Sequence, residues 1–135
     1  MDKVLITGVT GFAGSHLAEY LLARGDIEVY GACRWRSRLD NLSDLAHQGR
    51  LNLRGVDGLI CTEEQMRVAM DPAALNLLQG DMADPYQMRT LIEVVKPDLI
   101  FHLAAQSFVP TSWSAPAETF GVNTLGPVSY THLRA

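Results

Sequence analysis

The glycine-rich stretch TGVTGFAG at residues 7–14 constrains the fold of this chain more than any other feature. It follows an apolar run, KVLIT at residues 3–7, and precedes a helical recurrence of apolar residues at 12–24 that stops at Gly25. Such apolar runs form parallel strands buried on both faces, and glycine commonly ends a helix. The order strand, glycine turn, helix therefore predicts the start of a parallel α/β sheet.

Each glycine of this turn has its own predicted role. Gly8 lets the chain leave the strand sharply, Gly11 lets the backbone approach a pyrophosphate, and Gly14 lets the helix pack closely on the strand. The N-terminus of the helix adds free N–H groups and the positive end of its dipole, which attract phosphate. The stretch therefore predicts a dinucleotide-binding turn.

The rest of the chain continues the alternation of strands and helices. Further strands are predicted at residues 28–34, 75–79 and 98–103. Helices are predicted at 41–46, 63–70, 85–96 and from Pro116 onward, with a loop over residues 104–116. These elements predict an α/β fold, a Rossmann-type doubly wound parallel sheet with its four strands in the order 3-2-1-4. We expect residues 1–126 to form a single incomplete domain, without the remaining strands and the substrate domain.

The end of the second predicted strand indicates which dinucleotide binds. An NAD enzyme usually places an acid about 20 residues beyond the glycine turn, on the ribose 2′-hydroxyl. This chain has CRWRSR at residues 33–38 instead. Guanidinium groups suit a 2′-phosphate because they donate charge-assisted hydrogen bonds to it. Arg34 and Arg36 therefore favour NADP over NAD.

Two more segments follow predicted strands, at the edge where ligands bind in open α/β sheets. Asp81 and Met82 follow the third strand, where a carboxylate and a backbone N–H would hold the adenine. The loop after the fourth strand has small side chains that leave room for the ribose and nicotinamide, and its Ser107 is also a candidate substrate contact. Its predicted cofactor contacts are Leu103, Ala104, Ala105, Gln106 and Ser107.

Composition and charge exclude other function classes. The 135 residues carry a formal net charge of −4, without the basic field that a nucleic acid needs. No apolar stretch approaches the ~20 residues of a membrane span and no signal-peptide core is visible, so we expect no membrane partner and a cytoplasmic protein. The cysteines and histidines lack metal-ligand spacing, which predicts reduced thiols and no metal site. They are Cys33, Cys61, His16, His47, His102 and His132.

Several strings together resemble a known family. TGVTGFAGSHLAEYLL, GDMADP, PDLIFHLAAQSFVPTSW and NTLG at residues 123–126 resemble the nucleotide-sugar epimerase and dehydratase branch of the extended short-chain dehydrogenases, and most closely the GDP-mannose 4,6-dehydratase family. The resemblance implies an NADP cofactor, a nucleotide-sugar substrate such as GDP-mannose, and a homo-oligomer. Residues 50–74 look like an insertion, and CRWRSR departs from the family's RRSS. The implied cofactor contacts are Gly8, Thr10, Gly11, Phe12, Ala13, Arg34, Asp81, Met82 and residues 103–107.

The resemblance also implies a reaction whose catalytic residues are absent from this chain. In the family, the sugar is oxidised at C4, water is eliminated across C5 and C6, and the hydride returns to C6. The tyrosine and lysine of its YxxxK pattern and a threonine or serine lie downstream of the fourth strand, so no catalytic residue is assigned here and the chain alone is expected to be inactive. A 4-epimerase or reductase of the same family, and a non-catalytic NADP-binding regulator, remain open alternatives.

The last nine residues, PVSYTHLRA at 127–135, break the apolar periodicity of the final predicted helix. The string resembles the translation of a sequencing-library transposon adapter. We therefore expect residues 127–135 to be a non-native tail, which is left out of the reasoning about the fold.

Overall fold

A parallel sheet forms the centre of the fold. The computed structural model describes residues 1–57, 60 and 62–131, and within these ranges five strands form one sheet. All strand pairs are parallel. The strand order β3-β4-β2-β1-β5 contains the four predicted strands in their predicted order, so the Rossmann-type fold is confirmed. The strands are β1 (Asp2–Thr7), β2 (Ile27–Cys33), β3 (Leu51–Leu53), β4 (Leu75–Gln79) and β5 (Leu99–His102).

Helices connect the strands, and local sequence signals set their ends. The first helix ends before Gly25, whose φ of 76° is left-handed, and the helix after β4 begins beyond Asp84, whose side chain accepts from the N–H groups of Tyr86 and Gln87. No helix of the described residues is long and apolar enough to cross a membrane. The helices are α1 (Phe12–Arg24), α2 (Ser43–His47), α3 (Arg54–Asp57), α4 (Glu63–Ala69), α5 (Pro85–Val95), α6 (Val109–Ser114), α7 (Pro116–Phe120) and α8 (Gly126–Thr131).

Two apolar clusters pack on the two faces of the sheet. Val4 and Ile6 of β1 pack with residues of α1 and α2, whereas Leu5 between them packs with residues of α4 and α5. Successive side chains of a strand point to opposite faces, which explains the division. Helices therefore cover both faces, as a doubly wound sheet requires.

The strand β3 was not predicted from the sequence. It consists of Leu-Asn-Leu, the same tripeptide that begins β4, and the two strands align Leu51 with Leu75 and Asn52 with Asn76. The Asn52 Nδ2 donates to the Asn76 Oδ1 at 2.7 Å, and Asn76 is fully buried. A three-residue strand has little periodicity of its own, so its register depends on this pairing. Part of the apparent insertion at 50–74 thus extends the sheet at one edge.

The sequence-based expectations for β5 and for the residues after it need three corrections. The predicted loop at 104–116 contains the helix α6, and the expected break at Pro127 is absent because α8 continues to Thr131. His102, expected on a buried strand, lies at the exposed edge of the sheet, where Leu99 is 54% exposed. Cys61, His132 and residues 133–135 lie outside the described residues, so the expectations for them stay predictions.

Candidate functional site

A cleft of about 550 Å³ lies where β1, β2, β4 and β5 end. In open α/β sheets ligands bind beyond the carboxyl ends of the strands, so this is the expected position for a site. Most of the predicted site residues lie on its walls, and Ser107 is among them. The lining residues are Thr7, Gly8, Thr10, Gly11, Ala32, Cys33, Arg34, Ser37, Gly80, Asp81, Met82, Leu103, Ala104, Ala105, Gln106, Ser107, Phe108, Thr111, Glu118 and Val122.

The glycine turn forms one wall of the cleft. Gly8 has a φ of 73°, and a Cβ there would lie 2.6 Å from the Ala104 backbone nitrogen. A Cβ on Gly14 would lie 2.3 Å from the Gly8 carbonyl oxygen, so this glycine permits close packing of α1. A Cβ on Gly11 would meet only the Gly8 oxygen, at 3.3 Å. At Gly11 the missing side chain therefore leaves the space of the cleft open.

The N-terminus of α1 is an uncapped helix end beside this turn. Its N-cap residue, Gly11, provides no side-chain hydrogen bond, and the first turn contains no acid. The first N–H groups of a helix have no partner within the helix, and here they belong to Phe12, Ala13 and Gly14. The Phe12 side chain is 75% exposed, and its ring stacks edge-on against His16 instead of lining the cleft. Phe12 and Ala13 can therefore contribute backbone donors to an anion at the turn.

The loop after β2 brings one arginine to the cleft and leaves another outside. The Ser37 Oγ accepts from the Arg34 N–H at 3.1 Å, and the Ser37 N–H donates to the Arg34 carbonyl at 2.9 Å. This closed turn holds Arg34 and Ser37 on the cleft wall. The Arg36 guanidinium lies over the Trp35 ring, 4.4 Å from its centroid, and Arg36 is not among the lining residues.

The first acid that follows this loop in sequence, Asp40, is already engaged in an ion pair. Arg38 forms an ion pair of 2.8 Å with Asp40, and both side chains are well exposed. The cleft end of β2 itself carries Cys33, whose burial raises its pKa to about 11. A neutral thiol at this position adds no negative charge beside Arg34.

Asp81 and Met82 lie together where β4 ends. The Asp81 Oδ1 accepts from the Ala83 N–H at 2.9 Å, and the Asp81 N–H donates to the Gln87 Oε1 at 3.2 Å. The Met82 side chain is buried. The Asp81 carboxylate, which was predicted to hold the adenine together with a backbone N–H, therefore has a fixed orientation.

Thr7 joins the ends of β1 and β5, a role that sequence reasoning missed. Its buried hydroxyl accepts from the N–H groups of Leu103 and Ala104 at 3.2 and 3.3 Å. The hydroxyl also contacts the His102 Nδ1 at 2.9 Å, and since it accepts twice, it donates its proton to that nitrogen. Partial desolvation of the ring lowers the pKa of His102, which favours the neutral ring that this bond requires. Thr7 thus holds the start of the 103–107 loop.

Asn123 holds the middle of the same loop and was also missed, although it belongs to the NTLG string. Its side-chain amide pairs with both backbone groups of Gln106. Because Asn123 and Gln106 are 17 positions apart, no local sequence pattern indicates that they are in contact.

The described residues include no group of three or more His, Cys, Asp or Glu side chains suited to hold a metal ion.

The sequence was compared with models of known families. The model described as GDP-mannose 4,6 dehydratase matches residues 5–130. The chain belongs to this family. The match reaches the end of β5 and continues through α6, α7 and most of α8.

Curated GDP-mannose 4,6-dehydratases from distant organisms are similar to this family member. The enzyme of Vibrio cholerae is 36% identical over 124 residues, which cover 92% of this chain and 28% of the relative. GDP-mannose 4,6 dehydratase 1 of Arabidopsis thaliana is 35% identical over 127 residues, which cover 90% of this chain and 29% of the relative. The chain thus spans less than a third of the length of these relatives.

Solved structures have the same fold as this GDP-mannose 4,6-dehydratase family member. WbmH of Bordetella bronchiseptica, solved in complex with NAD⁺, has a TM-score of 0.63 at 28% identity over 96% of this chain and 33% of its own. The UDP-glucose 4-epimerase of Thermus thermophilus, in complex with NAD, has a TM-score of 0.64 at 26% identity over 94% of this chain and 32% of its own. Family and fold together imply a nicotinamide cofactor.

Proposed function

We propose that this chain binds NADP(H) in the cleft described above and forms the cofactor-binding part of a nucleotide-sugar 4,6-dehydratase that acts on GDP-mannose. The observation that carries the proposal is the cleft itself, in which the glycine turn, Arg34 and the 103–107 loop meet. Membership of the GDP-mannose 4,6-dehydratase family supports the substrate and the reaction.

The walls of the cleft suit each part of the cofactor. The open space at Gly11 and the uncapped end of α1 suit a pyrophosphate, because an anion gains both unpaired N–H donors and the positive end of the helix dipole. Asp81 and Met82 suit the adenine, and the loop from Leu103 to Ser107 suits the ribose and nicotinamide.

Arg34 supports the choice of NADP. It lies on the cleft wall, whereas Asp40, the nearest acid along the loop, is paired with Arg38. An adenosine ribose at this end of β2 would meet the Arg34 guanidinium, which suits a 2′-phosphate better than a 2′-hydroxyl. Arg36 would reach the cofactor only after leaving the Trp35 ring.

The bound nicotinamide supplies reversible hydride transfer to and from a sugar carbon. The residues of this chain bind and orient the reactants for it. Thr7 and Asn123 hold the 103–107 loop, and Ser107 on that loop is the proposed substrate contact. We assign no proton-transfer step to any residue of this chain.

A nucleotide-sugar 4-epimerase is the second candidate, because the Thermus thermophilus neighbour is one. The two reactions differ in their products. A dehydratase converts GDP-mannose to a 4-keto-6-deoxy sugar, which mass spectrometry detects as a loss of one water. An epimerase leaves the mass unchanged.

The variant Arg34→Ala tests the cofactor assignment in the longest native polypeptide that contains residues 1–126. Loss of hydrogen bonds to a charged phosphate should weaken NADPH binding by ~1–3 kcal/mol and leave NADH binding nearly unchanged. Arg89→Ala is the matched control, because Arg89 is an exposed arginine that pairs with Glu93 on α5 and does not line the cleft. Equal losses for NADPH and NADH in titration calorimetry would refute the assignment of Arg34 to the 2′-phosphate.

A further inference from the structure

We infer that Asn123 is a positioning residue of the cofactor cleft, and that its side-chain amide holds Gln106 and the adjoining Ser107 where the nicotinamide and the sugar would bind. The inference rests on the function proposed above. Asn123 is not among the residues that line the cleft, so it would act through Gln106 rather than touch a ligand.

The first observation is a reciprocal pair of hydrogen bonds. The Gln106 N–H donates to the Asn123 Oδ1 at 2.7 Å, and the Asn123 Nδ2 donates to the Gln106 carbonyl at 2.9 Å. One planar amide thus pairs with both backbone groups of a residue 17 positions earlier, as a neighbouring strand would. An aspartate could not donate the second bond when ionised, and an alanine could make neither.

The side chain of Gln106 is held as well. The Thr119 hydroxyl lies 3.3 Å from both its Oε1 and the Ala115 carbonyl oxygen and shares its proton between them, and the Gln106 Nε2 donates to the Phe108 carbonyl at 3.1 Å. Backbone and side chain of Gln106 are therefore both bound to the segment that contains Thr119 and Asn123. The orientation of the peptide that leads into Ser107 follows from these bonds.

The segment that carries Asn123 also packs closely against the loop that carries Met82. Asn123 lies in a π-helical turn, Gly121–Leu125, a widened turn that often occurs at functional sites. The next residue, Gly126, is buried, and a Cβ there would lie 2.7 Å from the Met82 carbonyl oxygen. The segment from Thr119 to Gly126 thus connects the loop that carries Met82 with the loop that carries Gln106.

This geometry predicts that Asn123 sets the affinity for the cofactor and the placement of the substrate. Small displacements of a positioning group weaken binding and slow the reaction strongly. Asn123 is exposed, so water replaces its hydrogen bonds in part. We therefore expect the loss of the amide to weaken NADPH binding by about tenfold, which is well short of abolishing it.

The test compares Asn123→Ala with Thr62→Ala in the longest native polypeptide that contains residues 1–126. Thr62 is also exposed and its side chain also bonds to a backbone group, the Gln65 N–H, but it lies outside the cleft. Fluorescence titration should show NADPH binding weakened about tenfold for Asn123→Ala and unchanged for Thr62→Ala. Amide hydrogen exchange at Gln106 in the cofactor-free protein should accelerate only for Asn123→Ala.

Asn123→Asp keeps the test decisive if the alanine variant does not fold. Near neutral pH its carboxylate faces the Gln106 carbonyl and repels it, whereas a protonated acid donates to that carbonyl as the amide does. Its NADP⁺ affinity relative to wild type should therefore recover as the pH falls from about 6 to 4, because an aspartate with an ordinary pKa of about 3.9 protonates over this range. A flat ratio across this range would contradict the positioning role.

Two results separate this inference from the proposed function. Wild-type NADPH affinity and wild-type exchange at Gln106 in Asn123→Ala would overturn the inference and leave the proposed function intact. A wild-type polypeptide that binds neither NADPH nor NADH would overturn the proposed function, and the inference with it.

Discussion

Replacing Gly8 with alanine should destabilise the protein by more than the left-handed backbone conformation alone would cost. Two effects add at this position. An L-residue in the left-handed region costs roughly 1–2 kcal/mol, and Gly8 has a φ of 73°. The new Cβ would also lie 2.6 Å from the Leu103 carbonyl carbon and the Ala104 nitrogen, backbone atoms that the Thr7 hydroxyl holds in place. Such overpacking costs ~1–3 kcal/mol, so the total is ~2–5 kcal/mol.

Gly25→Ala provides the matched control for this prediction. Gly25 has a φ of 76°, but a Cβ there would meet nothing within 4 Å, so only the conformational cost remains. Urea unfolding, followed by circular dichroism in the longest native polypeptide, measures the difference. With a slope of about 2 kcal/mol per molar urea, the midpoint of Gly8→Ala should lie ~0.5–1.5 M below that of Gly25→Ala. Equal midpoints would show that the clash with the 103–104 backbone is not real.

Three further predictions concern titration and exposure. The Cys33 thiol, with its pKa raised to about 11, should resist alkylation at pH 8 until the protein unfolds, and peptide mapping of a readily modified Cys33 would contradict its burial. Because the folded state lowers the pKa of His102, stability should fall as the pH drops below about 6.5, and His102→Gln should flatten this dependence in unfolding measurements at pH 5–8. Residues 1–135 expressed alone should aggregate, because the open edge of β5 exposes Leu99 and Phe101, and should turn over no GDP-sugar, because no catalytic residue is assigned in this chain. A monomer in light scattering with a cooperative thermal transition in calorimetry, or any turnover of a GDP-sugar, would refute this. Finally, independent nucleotide reads should diverge under PVSYTHLRA, and reads that continue one frame through Ala135 would refute a foreign tail.

Much of the cofactor-binding unit could be predicted from the sequence because its signals are local. The glycine turn, the bounds of α1 and the strand β4 each depend on a few adjacent residues, and the structure has Phe12–Arg24 and Leu75–Gln79 as predicted. The strand order followed from the Rossmann-type fold that the glycine turn and the alternation of strands and helices indicate. The placement of Arg34 on the cleft wall likewise follows from its position directly after a strand.

Tertiary structure decided the features whose partners are distant in the chain. The strand β3 pairs with β4 in a register that places Asn52 beside the buried Asn76, and no periodicity in three residues reveals that pairing. The hydrogen bond between Thr7 and Ala104 joins residues 97 positions apart, and those between Asn123 and Gln106 join residues 17 positions apart. Arg36 follows the same strand as Arg34, yet its guanidinium packs on Trp35 away from the cleft. A side chain's type and position limit which bonds it can form, but which partner it meets depends on the packing of the whole sheet and its helices.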